Sequence, residues 1–139
     1  MTGFQRMLSL NNQLGKVKRK ILRYYASVSS TNHKSGGIAI TFDDAFIDEW
    51  YSLRTLFNNY DAKVTFFISH FNLLKDDAIA KLKTLSDEGH EIGFHGLKHM
   101  NAVKFTENRS VDEYMTEEIL PGIDMMSHHG LVPHNFSYP

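Results

Sequence analysis

Residues 38–44 read IAITFDD, an apolar run that ends in two adjacent carboxylates. A short run of β-branched and aromatic residues that stops at polar side chains is typical of a buried strand. Asp43 and Asp44 therefore fall where a strand passes into a loop. Because the working residues of parallel α/β folds lie at such strand ends, this stretch indicates both a fold class and the position of a site.

Strand-like and helix-like segments alternate beyond this stretch. The pattern predicts strands over residues 38–42, 63–68 and 91–94, and a further strand that begins at 135–138. It predicts helices over 47–59 and 76–88, the second ending at Gly89, and a third from a capping box at Ser110 and Glu113 to about Met126. Repeated β-α-β-α units imply an α/β fold whose parallel strands form a sheet or barrel with right-handed crossovers.

Composition limits the classes of protein that this chain can represent. Its 139 residues, 42% hydrophobic and 22% charged, suit one domain with a core. The chain has no cysteine, so any metal must bind nitrogen and oxygen ligands. No run approaches the roughly 18 apolar residues of a membrane span, and the N-terminus does not resemble a signal peptide. By default we expect a cytoplasmic protein.

The first 36 residues differ from the rest in charge. They contain seven Lys and Arg and no acid, whereas residues 37–139 contain eight Lys and Arg and all sixteen acids. Apolar residues at helical spacing predict an amphipathic helix over 4–28, and a polar linker follows it. We predict a basic helix and linker over 1–36 and an α/β domain over 37–139. The helix is expected to cover the domain; peripheral contact with a membrane or a protein is the alternative, and no nucleic-acid partner is expected.

Two histidines follow the third predicted strand. His95 comes directly after Phe94, and His99 lies four residues further on. On a helix this spacing would place both imidazoles on one face, although Gly96 favours a loop or a helix start. Taken alone, each pair also has a simpler interpretation: the two aspartates as a solvated turn or a helix N-cap, and the two histidines as surface residues.

Considered together, the two pairs indicate a metal site. Strands one and three would present them at the same edge of the fold, because parallel strands have their carboxyl ends at one edge. Asp44, His95 and His99 are then candidates to bind one divalent ion, and Asp43 is left to act as a base. Two carboxylates and two imidazoles are the ingredients of metal-assisted hydrolysis.

The sequences TFDD at 41–44 and GHEIGFHGLKH at 89–99 closely resemble the first two motifs of the NodB-type polysaccharide deacetylases, carbohydrate esterase family 4. The resemblance covers about residues 37–139. It implies the first half of a distorted, seven-stranded (β/α) barrel. It also implies a hydrolase of non-peptide C–N amide bonds that de-N-acetylates an amino-sugar polymer or oligosaccharide, with an N-acetylated carbohydrate as its substrate.

The resemblance implies a role for each matching residue. Asp43 matches the general base of the family. The metal-binding triad is matched by Asp44, His95 and His99. The implied cofactor is a divalent metal ion, most often zinc, with cobalt, nickel or another divalent ion as alternatives.

The chain departs from the family pattern near its last residues. Phe136-Ser137-Tyr138-Pro139 resembles the start of the third motif, but Ser137 stands where an arginine normally orients the base. Tyr138 and Pro139 are candidates for substrate contact. The later motifs, which supply an acetyl pocket and a histidine acid, do not occur in these residues, so we expect a fragment of a longer protein, a paired chain or a marginally stable one. The alternatives to an active deacetylase are a catalytically impaired metal- or carbohydrate-binding fragment and a hydrolase of another small amide.

Overall fold

A parallel three-stranded sheet forms the centre of the fold in a computed structural model that describes residues 37–139. The strands, in their order across the sheet, are β1 Thr41–Asp44, β2 Thr65–Ile68 and β3 Glu91–Phe94. The helices are α1 Ile47–Ser52, α2 Arg54–Asn59, α3 Asp76–Asp87, α4 Ala102–Thr106, α5 Val111–Tyr114 and α6 Leu120–His128, with a 3₁₀ turn at Phe71–Leu73 and a π-helical turn at Met115–Ile119. This architecture confirms the predicted α/β class with parallel strands.

The register brings the carboxyl ends of the three strands level with one another. Asp44 lies opposite Ile68, and Ile68 lies opposite Phe94. His95 directly follows Phe94, and its backbone N–H donates to the carbonyl of Ile68 at 2.8 Å. The aspartates of β1 and the first histidine after β3 therefore lie at the same edge of the sheet.

An aromatic cluster on β2 holds the sheet to the first helices. Phe66 and Ile68 are fully buried. The ring of Phe66 lies 5.5 Å from Phe42, 5.0 Å from Trp50 and 6.0 Å from Phe57, measured between centroids. Burying one such side chain stabilises the fold by about 1.5–3 kcal/mol, so this cluster is a main source of stability for the β1–β2 half.

The connection from α3 to β3 follows the prediction closely. Ile79, Leu82 and Leu85 are buried, as their helical spacing predicted. Gly89 ends the turn with a φ of +89°, a conformation that glycine adopts without strain. The N–H of His90 donates to the carbonyl of Leu85 at 3.1 Å, which completes a Schellman motif and directs the chain into β3.

The prediction of a buried strand from residue 38 was wrong at its start. β1 begins at Thr41, and Ile38 and Ile40 are exposed. Within residues 37–139, β1 has a partner on one side only, and no described residue buries these first apolar side chains. The single helix predicted over 47–59 was also wrong, because the structure has two helices there, α1 and α2. The N–H of Leu53 donates to Trp50 rather than continuing the α-helical pattern, and Leu56 beyond it is exposed.

The third predicted helix begins as expected but contains an irregular turn. The Ser110 capping box is present, and the helical segment runs to His128 rather than to about Met126. Its π-helical turn ends two residues before Pro121, which has no N–H and would clash with the carbonyl of Glu117 in a regular helix. Helix α4 was not predicted from the sequence. Asn101 caps it, because its Oδ1 accepts from the N–H of Lys104 at 3.0 Å.

The predicted fourth strand is a single parallel bridge between Phe136 and Phe94. The N–H of Phe94 donates to the carbonyl of Asn135, and the N–H of Ser137 donates to the carbonyl of Phe94, each at 3.0 Å. This bridge extends the sheet beyond β3 and carries Ser137 to the edge where His95 lies.

The basic helix and linker predicted over residues 1–36 lie outside the described residues. That helix, its contacts and the domain boundary near residue 36 therefore stay predictions. Among the helices of residues 37–139, the structure contains none that combines the length and the apolar character needed to cross a bilayer.

Candidate metal centre

Asp44 ends β1 in an uncommon backbone conformation. Its φ is +84°, in a region that few residues other than glycine adopt and that aspartate tolerates better than most. Its carbonyl accepts from the N–H of Ser69 at 3.0 Å, which ties the end of β1 to the end of β2. The backbone of Asp44 is therefore held at the end of the sheet.

His95 is the most firmly held member of the site. It is 4% exposed, and its Nδ1 lies 3.0 Å from the backbone carbonyl of Ser137. Because a carbonyl oxygen can only accept, Nδ1 carries the proton and donates. Nε2 of the neutral ring then has a free lone pair, which is the state that a metal ligand requires.

His99 lies on a loop rather than on a helix. Gly96 has a φ of +93° and His99 has a φ of +56°, so the chain reverses between the two histidines. This geometry agrees with the expectation that Gly96 favours a loop. The His99 side chain is 38% exposed, against 5% for that of His95. His99 thus has less packing around its ring to hold it in place.

Three ligand-type atoms converge at this edge of the sheet. Nε2 of His99 lies 3.1 Å from Nε2 of His95 and 3.3 Å from Oδ1 of Asp44, and the remaining separation, from His95 Nε2 to Asp44 Oδ1, is 3.9 Å. A tetrahedral ion with ligand bonds of about 2.0–2.2 Å holds its ligand atoms about 3.3 Å apart. A single N–H at Nε2 of His99 can face either His95 or Asp44, whereas a cation contacts all three atoms. The donor set fits a divalent metal ion.

Asp43 lies beside this set but is placed differently. Its Oδ2 is 3.9 Å from Nε2 of His95, and within residues 37–139 its ion pairs involve His95 alone, whereas Asp44 is close to both histidines. The hydroxyl of Ser137 donates to the same Oδ2 at 3.4 Å, a long hydrogen bond. The Asp43 side chain is 45% exposed. It is therefore open to a substrate or to water and is oriented by a neutral group.

Within residues 37–139, no hydrogen bond or ion pair joins Tyr138 or Pro139 to the carboxylates and imidazoles of the site. They line the edge of an apolar cavity of about 590 Å³, together with residues of α4 and of the helical segment after Ser110. The Tyr138 ring is largely exposed, and the amide of Asn101 donates to the carbonyl of Pro139 at 3.4 Å. Their predicted substrate contact stays a prediction.

Sequence reasoning missed two contacts at the site, one from the backbone of Ser137 and one from the ring of His70. The first is the hydrogen bond from His95 to the backbone carbonyl of Ser137. It could not be found from the sequence, because every residue type has a main-chain carbonyl. The ring of His70 is stacked on that of His99, with centroids 6.0 Å apart and planes at 16°. His70 follows the end of β2, and its position at the same edge of the sheet was the available signal.

His90 is a structural histidine. It is 4% exposed, and its Nδ1 accepts from the N–H of Val64 at 3.3 Å. Burial lowers its pKa, so the ring is neutral at pH 7. Its edge-on contact with Phe57 and Phe66 places it in the core rather than at the candidate site.

Comparisons with known proteins identify relatives with similar sequences and folds. A peptidoglycan-N-acetylglucosamine deacetylase of Bacillus cereus is 37% identical over 87 residues, which are 61% of this chain and 37% of that protein. The structure of the peptidoglycan deacetylase PdaC from Bacillus subtilis superposes with a TM-score of 0.62 at 22% identity, over 78% of this chain and 52% of that one. A family 4 acetyl xylan esterase from Clostridium thermocellum, solved with a cobalt ion, has a TM-score of 0.53 at 26% identity, over 73% of this chain and 50% of that one.

These likenesses confirm the predicted fold as part of the deacetylase type of α/β barrel. The chain spans 37% of the length of the curated relative and about half of the two solved chains. A family model described as polysaccharide deacetylase matches residues 30–132, which is most of the chain. The chain therefore belongs to the polysaccharide deacetylase family, as its two motifs predicted.

Proposed function

We propose that this chain carries the metal-binding half of a hydrolase that removes the acetyl group from an N-acetylated amino sugar. The bond broken is a non-peptide C–N amide bond. The observation that carries the proposal is the convergence of Asp44, His95 and His99 within 3.1–3.9 Å of one another, with Asp43 beside them. Family membership narrows the reaction from metal-assisted hydrolysis in general to deacetylation of a carbohydrate.

Asp44, His95 and His99 would hold the ion. Two imidazole nitrogens and one carboxylate oxygen are a common ligand set for catalytic zinc; cobalt and nickel accept the same donors. When bound, such an ion is a Lewis acid that makes water more acidic and polarises an amide carbonyl. The donation from His95 to the carbonyl of Ser137 would prepare the ring, because it fixes the proton on Nδ1.

Asp43 would act as the general base. Its carboxylate would take a proton from the attacking water as the oxygen bonds to the acetyl carbon. The protonated Asp43 would then return that proton to the nitrogen as the C–N bond breaks, so that the free amine and acetic acid leave, the latter ionising to acetate. A positioned base of this kind contributes about 10²–10⁴-fold to the rate. Ser137 donates to Asp43 where the family pattern has arginine, so the charge of the base would be less strongly stabilised here.

An amino sugar of a bacterial cell-wall polymer is the proposed substrate. This choice rests on the relatives from Bacillus cereus and Bacillus subtilis, both of which are peptidoglycan deacetylases. The exposed ring of Tyr138 and the neighbouring Pro139 are proposed substrate contacts, since an exposed aromatic ring offers an apolar face to a sugar. The basic helix predicted in residues 1–36 lies outside the part of the chain that the structure describes. Its contact with a membrane or a protein therefore stays a prediction.

The test is deacetylation of chitooligosaccharides by the full chain with added Zn²⁺ or Co²⁺. Asp43→Asn should remove at least 100-fold of the rate while metal affinity is retained, and His95→Ala should remove both. Asp61→Asn is the matched control, because the Asp61 side chain is 97% exposed and pairs with Lys63 rather than with a residue of the site, so the variant should change neither quantity. Turnover that is unchanged in Asp43→Asn would refute the role of the base.

A second candidate is a metal- and carbohydrate-binding chain with impaired catalysis. One observation favours it: Ser137 stands in place of arginine beside Asp43. In that case Zn²⁺ and chitooligosaccharides bind but acetate is not released. If the chain hydrolysed a small linear or cyclic amide but did not deacetylate the sugar, the result would instead support a hydrolase of another small amide.

A further inference from the structure

Glu118 is a buried carboxylate that neither the proposed ion nor the proposed base uses. It is fully buried within the π-helical turn at Met115–Ile119. Within residues 37–139 it forms no ion pair with Lys, Arg or His. A buried carboxylate is retained only when hydrogen bonds replace the water it has lost. Its hydrogen-bond partners therefore show what it does.

All the partners of the Glu118 side chain belong to the backbone of the loop that carries His99. The N–H of Lys98 donates to both carboxylate oxygens at 3.0 Å, and the N–H of Met100 donates to Oε1 at 3.0 Å. The backbone carbonyl of Glu118 also accepts from the N–H of Leu97 at 3.3 Å. The bonded N–H groups lie on both sides of His99 in the sequence. The single residue Glu118 therefore fixes the loop backbone before and after His99.

Tyr114 holds the same loop from one turn earlier in the helical segment. Its hydroxyl donates to the carbonyl of Met100 at 3.0 Å, and its ring is buried. Burial, followed by the charge of Glu118, raises the pKa of Tyr114, so the hydroxyl stays a donor at neutral pH. Met100 is thus fixed through its N–H by Glu118 and through its carbonyl by Tyr114.

Gly96 allows the carboxylate to approach this closely. A Cβ atom at position 96 would lie 2.6 Å from Oε1 of Glu118, and the φ of +93° also disfavours any other residue. The glycine between the two histidines therefore has two functions. It turns the chain, and it leaves room for the group that anchors the loop.

We infer that Glu118 is a positioning residue for the metal centre, which sets His99 against His95 through the loop backbone. The inference rests on the proposed metal site. His95 is buried and fixed by its own contacts, whereas His99 is more exposed and has a φ of +56°. Without the carboxylate, the N–H groups of Lys98 and Met100 lose their acceptor, and the loop no longer holds Nε2 of His99 at 3.1 Å from Nε2 of His95.

The experiment compares Zn²⁺ and Co²⁺ affinity, and the visible spectrum of the Co²⁺ form, in the full chain and three variants. Glu118→Ala should weaken binding about 10–100-fold, the usual effect of removing a group that orients metal ligands, and should alter the Co²⁺ spectrum. Glu118→Gln keeps one oxygen that can accept from both N–H groups, so its loss should be smaller. Glu113→Gln is the control, a carboxylate-to-amide change on the same helical segment that contacts Arg109 and Ser110 instead of the loop.

The outcomes distinguish this inference from the proposed function. If wild type binds Zn²⁺ and both Glu118 variants, folded by circular dichroism, bind it equally well, the positioning role is refuted and the metal centre stands. If wild type itself shows no saturable binding, the metal centre is refuted together with this inference. Should Glu118→Ala fail to fold, Glu118→Gln decides the question, because Zn²⁺ affinity and a Co²⁺ spectrum equal to those of wild type in that folded variant would refute the positioning role.

Discussion

Gly122→Ala tests how closely the last helix packs against the strand that leads to His95. An alanine Cβ at position 122 would lie 2.3 Å from Cζ and 2.4 Å from Cε2 of Phe94. Phe94 is 1% exposed, so its ring has no solvent into which it can turn. The backbone of Phe94 bonds to Asn135 and to Ser137, and a displaced Phe94 therefore also disturbs the carbonyl that holds His95.

Two effects on the free energy of unfolding oppose each other in this variant. Alanine is favoured over glycine in a helix interior by about 1 kcal/mol. Overpacking a filled core costs about 1–3 kcal/mol. The added Cβ and the ring carbons of Phe94 would be more than about 1 Å closer than the preferred carbon–carbon separation of about 3.5–4.0 Å. The cost of overpacking should therefore lie at the upper end of this range. We expect a net loss of about 2 kcal/mol, which lowers the Tm of a domain of this size by about 8–16 °C.

Equilibrium unfolding in urea, followed by circular dichroism, measures this loss, and a Zn²⁺ titration measures the effect on the site. Asp124→Ala is the control, because it adds an alanine to the same helix at an exposed position and should change stability by no more than about 0.5 kcal/mol. A free energy of unfolding for Gly122→Ala equal to or above that of wild type would show that the packing argument is wrong and that helix propensity prevails.

Two further predictions concern the metal and the capping box. Zn²⁺ at 100 times its Kd should stabilise the wild-type chain by about 2.7 kcal/mol. His95→Ala should remove this shift, and a chelator should reverse it; a full shift in the variant would contradict the assigned ligand. The Ser110 N–H and the Arg109 side chain lower the pKa of Glu113 from its ordinary value of 4.5 to about 2. A depressed pKa gives stability that is present above about pH 4.5 and is lost as the pH falls towards 2. The stability difference between wild type and Glu113→Gln should therefore shrink over that interval in urea unfolding at several pH values, and a constant difference would contradict it.

The edge of the sheet that carries the site could be predicted because it depends on local sequence. Apolar runs that end at Asp43 and at His95 give both the strands and their direction, and parallel pairing then brings the two ends together. The same local pattern failed at Ile38 and Ile40. Their burial depends on how many neighbours β1 has in the sheet, which a single strand does not specify.

The arrangement of the second histidine could not be predicted, because it depends on contacts distant in the sequence. The spacing of His95 and His99 is equally compatible with a helix. The loop form depends on Glu118, which lies 18–20 residues beyond the backbone groups that it binds. The π-helical turn that contains Glu118 arises next to Pro121, and a proline there indicates only that a regular helix is interrupted.

Ser137 connects the two functions of the site. Its backbone carbonyl fixes the proton of His95, while its hydroxyl contacts the carboxylate of Asp43. The first interaction is available to any residue at this position, because it uses the main chain and depends only on the bridge between Phe136 and Phe94. The second depends on the side chain, and serine supplies a weak neutral donor in place of a guanidinium. The departure of this chain from the family pattern therefore affects the proposed base and not the proposed metal ligands. Metal affinity and catalytic rate are then separable quantities in this protein, and a chain that binds metal tightly yet turns over slowly would follow from this one position.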